Sequence, residues 1–170
     1  MNGQELDGEP MDEPIPGERK QRRGNRIAMD KAELDSFLSG ERMCRMSTIS
    51  AAGPHNSPLW FVWDGSAIWI HSIVKSQRWS DIQKDPRVAI VVDGGHDFVE
   101  LRGVELHGSA EVVGPVPRTG EEAVAELDDP ERLFASKYTG TETMHYDGRH
   151  AWLRILPTKV NSWDFRKQFG

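Results

Sequence analysis

Residues Ser66 to Val92 read SAIWIHSIVKSQRWSDIQKDPRVAIVV, and the pattern changes three times along them. Ala67 to Ser72 is rich in β-branched and aromatic residues and fits a strand. A basic loop follows, and a helix opens at Ser76. It ends at Asp85, because Pro86 disfavours helical geometry in the residue before it, and Arg87 to Asp93 then resumes an apolar β run. Lys75, Ser76 and Arg78 stand at the helix start, where the backbone already carries about half a positive elementary charge. Cations stacked there cost free energy unless an anion fills the gap. Unpaired amide N–H groups, a hydroxyl and two cationic side chains make a cradle for phosphate. A bound phosphorylated cofactor is the reading.

On the N-terminal side, Cys44 to Ile49 and His55 to Trp63 are β-type runs joined by a turn at Ala51-Ala52-Gly53-Pro54, and Asp64-Gly65 turns the chain into the strand from Ala67. Before them, Asp30 and Glu33 form a capping box on a short helix with Leu34, Phe37 and Leu38 along one face and Gly40 closing it. On the C-terminal side, Val99 to Val113 alternates as one long strand, with Gly103 and Gly108 as bulge or corner points. The stretch from Glu121, with Pro130 at a first helical position, reads as a helical excursion closing near Tyr138, its buried face Leu133, Phe134 and Tyr138. Ala151 to Leu156 and Val160 to Phe165 supply two more strands, parted at Pro157. The fold class is mainly β: six or seven mostly antiparallel strands with peripheral short helices, closing into a small barrel.

With 170 residues, one domain with a proper core is expected, covering 27–170 after a charged, Gly/Pro-rich, disordered tail at 1–26. The tail's basic cluster, Arg19, Lys20, Arg22, Arg23 and Arg26, reads as a solvated arm. A net charge of −6 and aromatics not interleaved with a basic stripe argue against a nucleic-acid partner. A single cysteine, Cys44, excludes an internal disulfide framework and a cysteine-built metal site, no apolar run has the length of a membrane span, and no secretory apolar region opens the chain. A cytoplasmic location is expected.

The chain has no G-x-G-x-x-G, no G-x-x-x-x-G-K-[ST], no H-E-x-x-H and no G-x-S-x-G, so Rossmann, P-loop, zincin and nucleophile-elbow readings lack their residues. Gly94-Gly95-His96 is a loop. Six tryptophans stand out. Alternation from Ser57 to Trp63 puts Leu59, Phe61 and Trp63 on one face and Pro58, Trp60 and Val62 on the other, so both faces are apolar and both should be covered. Barrel interior plus a subunit interface, or a flat aromatic ring, could cover them.

From Arg42 to Val92, and especially in Ser57-Pro58-Leu59-Trp60-Phe61, the Asp64-Gly65 hairpin, the basic loop and Asp85-Pro86-Arg87-Val88, the sequence resembles the pyridoxamine 5'-phosphate oxidase-like split barrels, in particular their actinobacterial flavin and deazaflavin oxidoreductase branch. The late segment PTKVNSWDF, Pro157 to Phe165, is similar to that family's closing strand. The resemblance implies a homodimeric split β-barrel with cofactor sites between subunits. It places the ring on Pro58, Leu59, Trp60 and Phe61, the phosphate on Ser72, Lys75, Ser76 and Arg78, and Trp163 on the pocket wall. The cofactor would be coenzyme F420 or FMN, with FAD possible if Trp79 stacks on its adenine; core packing is the other role for Trp79. Substrate would be a small molecule, reduced by hydride transfer, with Tyr146 or solvent as proton donor.

Related split barrels include haem binders. His55, His71, His96, His107, His145 and His150 are then candidate ligands, with His71 and His145 foremost. A flavin or lipid carrier without turnover is a third reading.

Overall fold

The computed structural model describes residues 26–169; the expectation for the tail falls outside that range except at Arg26. Helix α1, Lys31–Gly40, starts at the expected capping box, with Asp30 accepting from the Glu33 N–H and the Glu33 side chain accepting from the Asp30 N–H. Then come β1, Met43–Ser50, β2, Gly53–Trp60, β3, Val62–Trp63, and β4, Ile68–Ile73. Helix α2, Gln77–Lys84, leads into β5, Arg87–Gly94, and β6, Arg102–Val113. After α3, Asp128–Thr139, the long strand β7, His150–Asp164, and a terminal turn of helix, α4, Arg166–Phe169, complete the chain. Phe98–Glu100 is a 3-10 turn, so β6 begins later than the sequence suggests.

The strands form one seven-stranded sheet in the order β2-β1-β5-β6-β7-β4-β3, with every pairing antiparallel. Its two edges, β2 and β3, are consecutive in the chain and separated only by Phe61. A sheet whose edges are joined by one residue must roll up on itself. It rolls into a split barrel with the seam beside β2.

Two further boundaries move. The run from His55 to Trp63 is two strands, because at Phe61 the ladder is replaced by a side chain: Tyr138 Oη takes the Phe61 N–H at 3.0 Å and lies 2.6 Å from the Phe61 carbonyl and 2.8 Å from that of Arg42. Conversely, the two strands expected around Pro157 are one. The register slips between His107 and Gly108, opposite Pro157 and Lys159, so a bulge at Thr158 absorbs a proline that has no N–H to give. Gly108 is thus a bulge position, as its sequence suggested. Gly103 is not: it sits in regular register opposite Trp163, and the Trp163 ring occupies the place its side chain would take. Gly103→Ala would drive a methyl into that ring, and overpacking of this kind costs about 1–3 kcal/mol. A lowered urea midpoint is expected.

The barrel interior is filled by Leu34, Leu38, Met46, Ile68, Ile70, Ile90, Leu106, Leu153 and Ile155, all essentially without solvent contact. A second apolar layer lies outside the barrel, where α3 covers Val62, Trp69, Val113 and Trp152 with Phe134. Pro130 sits in the first turn of α3 at its third residue, where a missing N–H breaks no helical bond. The β2 edge is covered on its inner face alone. Pro54, Asn56, Pro58 and Trp60 alternate outward and are exposed. Pro54 and Pro58 suit an edge that donates few ladder bonds.

Candidate functional site

Ser76 is the N-cap of α2, and its hydroxyl is already engaged: Oγ accepts the Trp79 N–H at 3.2 Å and donates to the Ile73 carbonyl at 2.8 Å. No acid stands in the first turn. The free cationic end belongs to Arg78. It is buried, and its Nε and Nη2 donate to Ser72 Oγ at 3.3 and 3.2 Å. Ser72 is itself fully buried, on the same side of β4 as Ile68 and Ile70, and so faces the barrel interior. Burial pushes the guanidinium below its usual value, and among the described residues only the Cys44 thiol acts on it in the opposite direction. Among the described residues Arg78 therefore has no carboxylate partner. A buried cation left in that state is costly, and it is retained where an anion comes to meet it. Lys75 is exposed in the loop just before. Cys44 is inert, since burial outweighs the neighbouring Arg78 and pushes its thiol up to about 12.

Trp79, next to Arg78, packs into the barrel core with Ile82 and Val88. Thr48 and Gln77 each bond Asp81 at 2.8 Å, which pins α2 beneath β1.

A cleft of about 470 Å³ opens between β2 and α3. It brings together Pro58, Leu59, Trp60, His71, His145 and His150 from the sequence reading, and adds Phe134 and Asp147. Trp60 is about half exposed (49%) and stacks on Tyr138, with ring centroids 4.4 Å apart and planes 11° from parallel. The position of Tyr138 at the seam thus also builds the aromatic wall. Phe61 is fully buried and does not line the cleft. His71 projects to the opposite side of β4 from Ser72, against Phe134 and Trp152, and its Nε2 is buried without a hydrogen-bond partner. Burial first and His150 second push His71 down to about 4.

Trp163 is elsewhere. It stands opposite Gly103 of β6 and is not among the residues that line the cleft. Tyr146, a candidate proton donor, is also committed: its hydroxyl donates to Glu131 at 2.6 Å, and burial followed by that bond raises its pKa. His55, His96 and His107 lie outside the cleft. Among the described residues, no group of three or more His, Cys, Asp or Glu side chains could hold a metal ion. No described helix is long and apolar enough to cross a membrane.

The sequence profile of the pyridoxamine 5'-phosphate oxidase family matches residues 30–164. The chain belongs to that family. Among solved structures it is similar to the conserved hypothetical protein Rv2991 from Mycobacterium tuberculosis, at 28% identity and a TM-score of 0.72, over 88% of this chain and 94% of that one. It shares its fold with an F420 reductase at 22% identity and a TM-score of 0.54, over 74% and 94% of the two chains. It also shares its fold with HutZ, the haem storage protein of Vibrio cholerae, at 12% identity and a TM-score of 0.59, over 78% and 95%. The comparison with curated proteins gives no match.

Proposed function

We propose that this protein is an oxidoreductase that holds a phosphorylated flavin or deazaflavin, F420 or FMN with FAD as the larger alternative, and reduces or oxidises a small organic molecule. One observation carries the reading: Arg78 is a buried guanidinium, hydrogen-bonded to Ser72 and lacking a carboxylate, at the start of a helix with no acid in its first turn. The phosphate belongs on Arg78 and Ser72, with Lys75 closing over it from the loop. The ring belongs in the cleft along Pro58, Leu59 and Trp60. Leu59 packs on the barrel core that Ser72 faces and also lines the cleft. When bound, the cofactor supplies hydride chemistry. The chain neutralises charge through Arg78 and excludes water with Trp60, Phe134 and Tyr138.

A C2 dimer completes the picture. Met43, Ile49 and Trp60 are exposed on the outer face of β1 and β2, and a second copy packed there would bring its own Trp163 towards the cleft. The test is titration of the purified protein with F420, FMN, FAD and haemin, followed by tryptophan quenching and absorbance. Saturable binding of F420 or a flavin, with a redox change on adding an acceptor, supports the proposal. Failure of all three to bind removes it.

His71 favours a second reading, haem binding, because its neutral ring carries an unpartnered Nε2 beside a cleft that also holds His145. It predicts a haemin Soret band that His71→Ala abolishes and Arg78→Met leaves intact. A Soret band that survives both His71→Ala and His145→Ala rules this reading out.

A further inference from the structure

The cleft contains a carboxylate and an imidazole that order each other. His150 opens β7, and its Nδ1 lies 2.7 Å from Asp147 Oδ2. The other oxygen of Asp147 accepts the Arg149 N–H at 2.9 Å, across a turn in which Gly148 takes φ +65°. The carboxylate is therefore fixed before it meets the ring. With Nδ1–H directed at Asp147, His150 keeps Nε2 as its second ring nitrogen for a ligand. The ring stacks on His71, centroids 4.7 Å apart and planes 20° from parallel, and both imidazoles line the cleft facing Trp60 and Phe134.

The charge states are unequal. The bond from His150 is the main reason Asp147 is lowered to about 2, so it is ionised throughout the neutral range. His71, at about 4, is neutral there. The remaining titratable groups around the pair are Glu131 of α3, which is bonded to Arg118, Tyr146 and Trp152, and His145 of the loop, which has no carboxylate partner among the described residues. Tyr146 is spent on Glu131. His150 alone combines a place in the cleft with an ionised partner behind it.

We infer that Asp147 and His150 form the proton-delivery unit of the cleft, with His150 giving the proton and Asp147 positioning it. The inference rests on the redox reading above. A two-electron reduction of the bound acceptor takes one hydride, for which the co-reactant is reduced F420 or reduced flavin, and one proton. The Nε2–H bond of His150 breaks, a new bond to hydrogen forms on the acceptor, and the imidazolium becomes a neutral imidazole beside Asp147. Solvent at the cleft mouth restores the proton.

Two measurements test it. The first is turnover of menadione with reduced F420 or reduced FMN across pH 5 to 9. His150→Gln lowers kcat about 100-fold, within the range for loss of a general acid, with KM changed less than about threefold. Asp147→Asn gives a smaller loss and a displaced alkaline limb of the pH profile, the limb set by a proton donor. The second uses the full chain without cofactor: ¹⁵N shifts of the histidine rings show neutral His150 as the Nδ1–H tautomer, and Asp147→Asn returns it to Nε2–H. A His150→Gln variant with kcat and pH profile intact overturns the inference alone, as does an Nε2–H tautomer in the wild type. A wild type that turns over no acceptor overturns the redox reading and this inference together.

Discussion

Glu131→Ala unfolds at a much lower urea concentration than the wild type, a loss of about 3–5 kcal/mol, the usual cost of removing one partner of a buried ion pair. Glu131 and Arg118 are both buried, with Arg118 Nε and Nη2 donating to the carboxylate at 2.8 and 3.2 Å. Tyr146 Oη and Trp152 Nε1 donate to the same two oxygens at 2.6 and 3.1 Å. Arg118 also donates through Nη1 to the Glu122 carbonyl at 2.5 Å, and its N–H goes to the His150 carbonyl at 2.7 Å. One carboxylate thus ties α3, β7 and the loops on either side of them. Its removal strands a buried charge and two donors. Against a total stability of about 5–15 kcal/mol for a domain, the loss is a large fraction. Replacing both partners by apolar residues, Arg118→Met with Glu131→Leu, is less harmful than Glu131→Ala alone, because no buried charge remains. A double variant as unstable as the single one would mean that the hydroxyl and indole donors, rather than the ion pair, dominate.

The same carboxylate gives this effect a pH signature. Burial acts to raise the Glu131 pKa, but the hydrogen bonds from Arg118 and Tyr146 outweigh it and hold the group below its usual value. A folded-state pKa depressed in this way contributes stability that is fully present above the unfolded value of about 4.3 and is lost as pH falls through the folded value. The gap in urea midpoint between wild type and Glu131→Gln should be widest near pH 7 and narrow below about pH 4. A gap that is flat down to pH 3 would show that the proton on Glu131 is irrelevant to folding.

The strands, α1 and α2 are legible in the sequence because they rest on local chemistry: alternation, the Asp30 to Glu33 capping box and the Asp85-Pro86 stop. The break at Phe61 is not, because its cause is the hydroxyl of Tyr138, 77 residues away. Pro157 misleads for a related reason. A proline mid-run reads as a strand end, and only the partner strand's Gly108 shows that a bulge takes it up. In the site, Arg78 is found from its position at a helix start, yet its burial and lack of a counter-charge depend on packing against Ser72 and Cys44. Pro58, Leu59 and Trp60 come from the resemblance and do line one cleft with His71. The Asp147 and His150 pair does have a local signal, an Asp-Gly turn with a histidine three residues on. That signal acquires meaning once β7 is seen to deliver it beside His71.

Arg78→Met separates a binding residue from a structural one, because the two roles predict opposite signs. Were Arg78 structural, its loss would destabilise the protein. As a desolvated guanidinium with no carboxylate partner among the described residues and hydrogen-bonded there to Ser72, it already burdens the cofactor-free fold, and an apolar side chain of similar length relieves that burden. The variant without cofactor should therefore melt at the same temperature as the wild type or higher. Its affinity for a phosphorylated cofactor should fall, since a charge-assisted hydrogen bond to phosphate contributes roughly 1.5 to 3 kcal/mol, about tenfold to 150-fold in Kd. Riboflavin, which offers the same ring without the phosphate, should bind wild type and variant alike. Calorimetric titration with FMN and riboflavin, beside thermal melts of both cofactor-free proteins, measures all three quantities. A lower melting temperature together with equal loss for FMN and riboflavin would assign Arg78 to the core and leave the phosphate without its principal ligand.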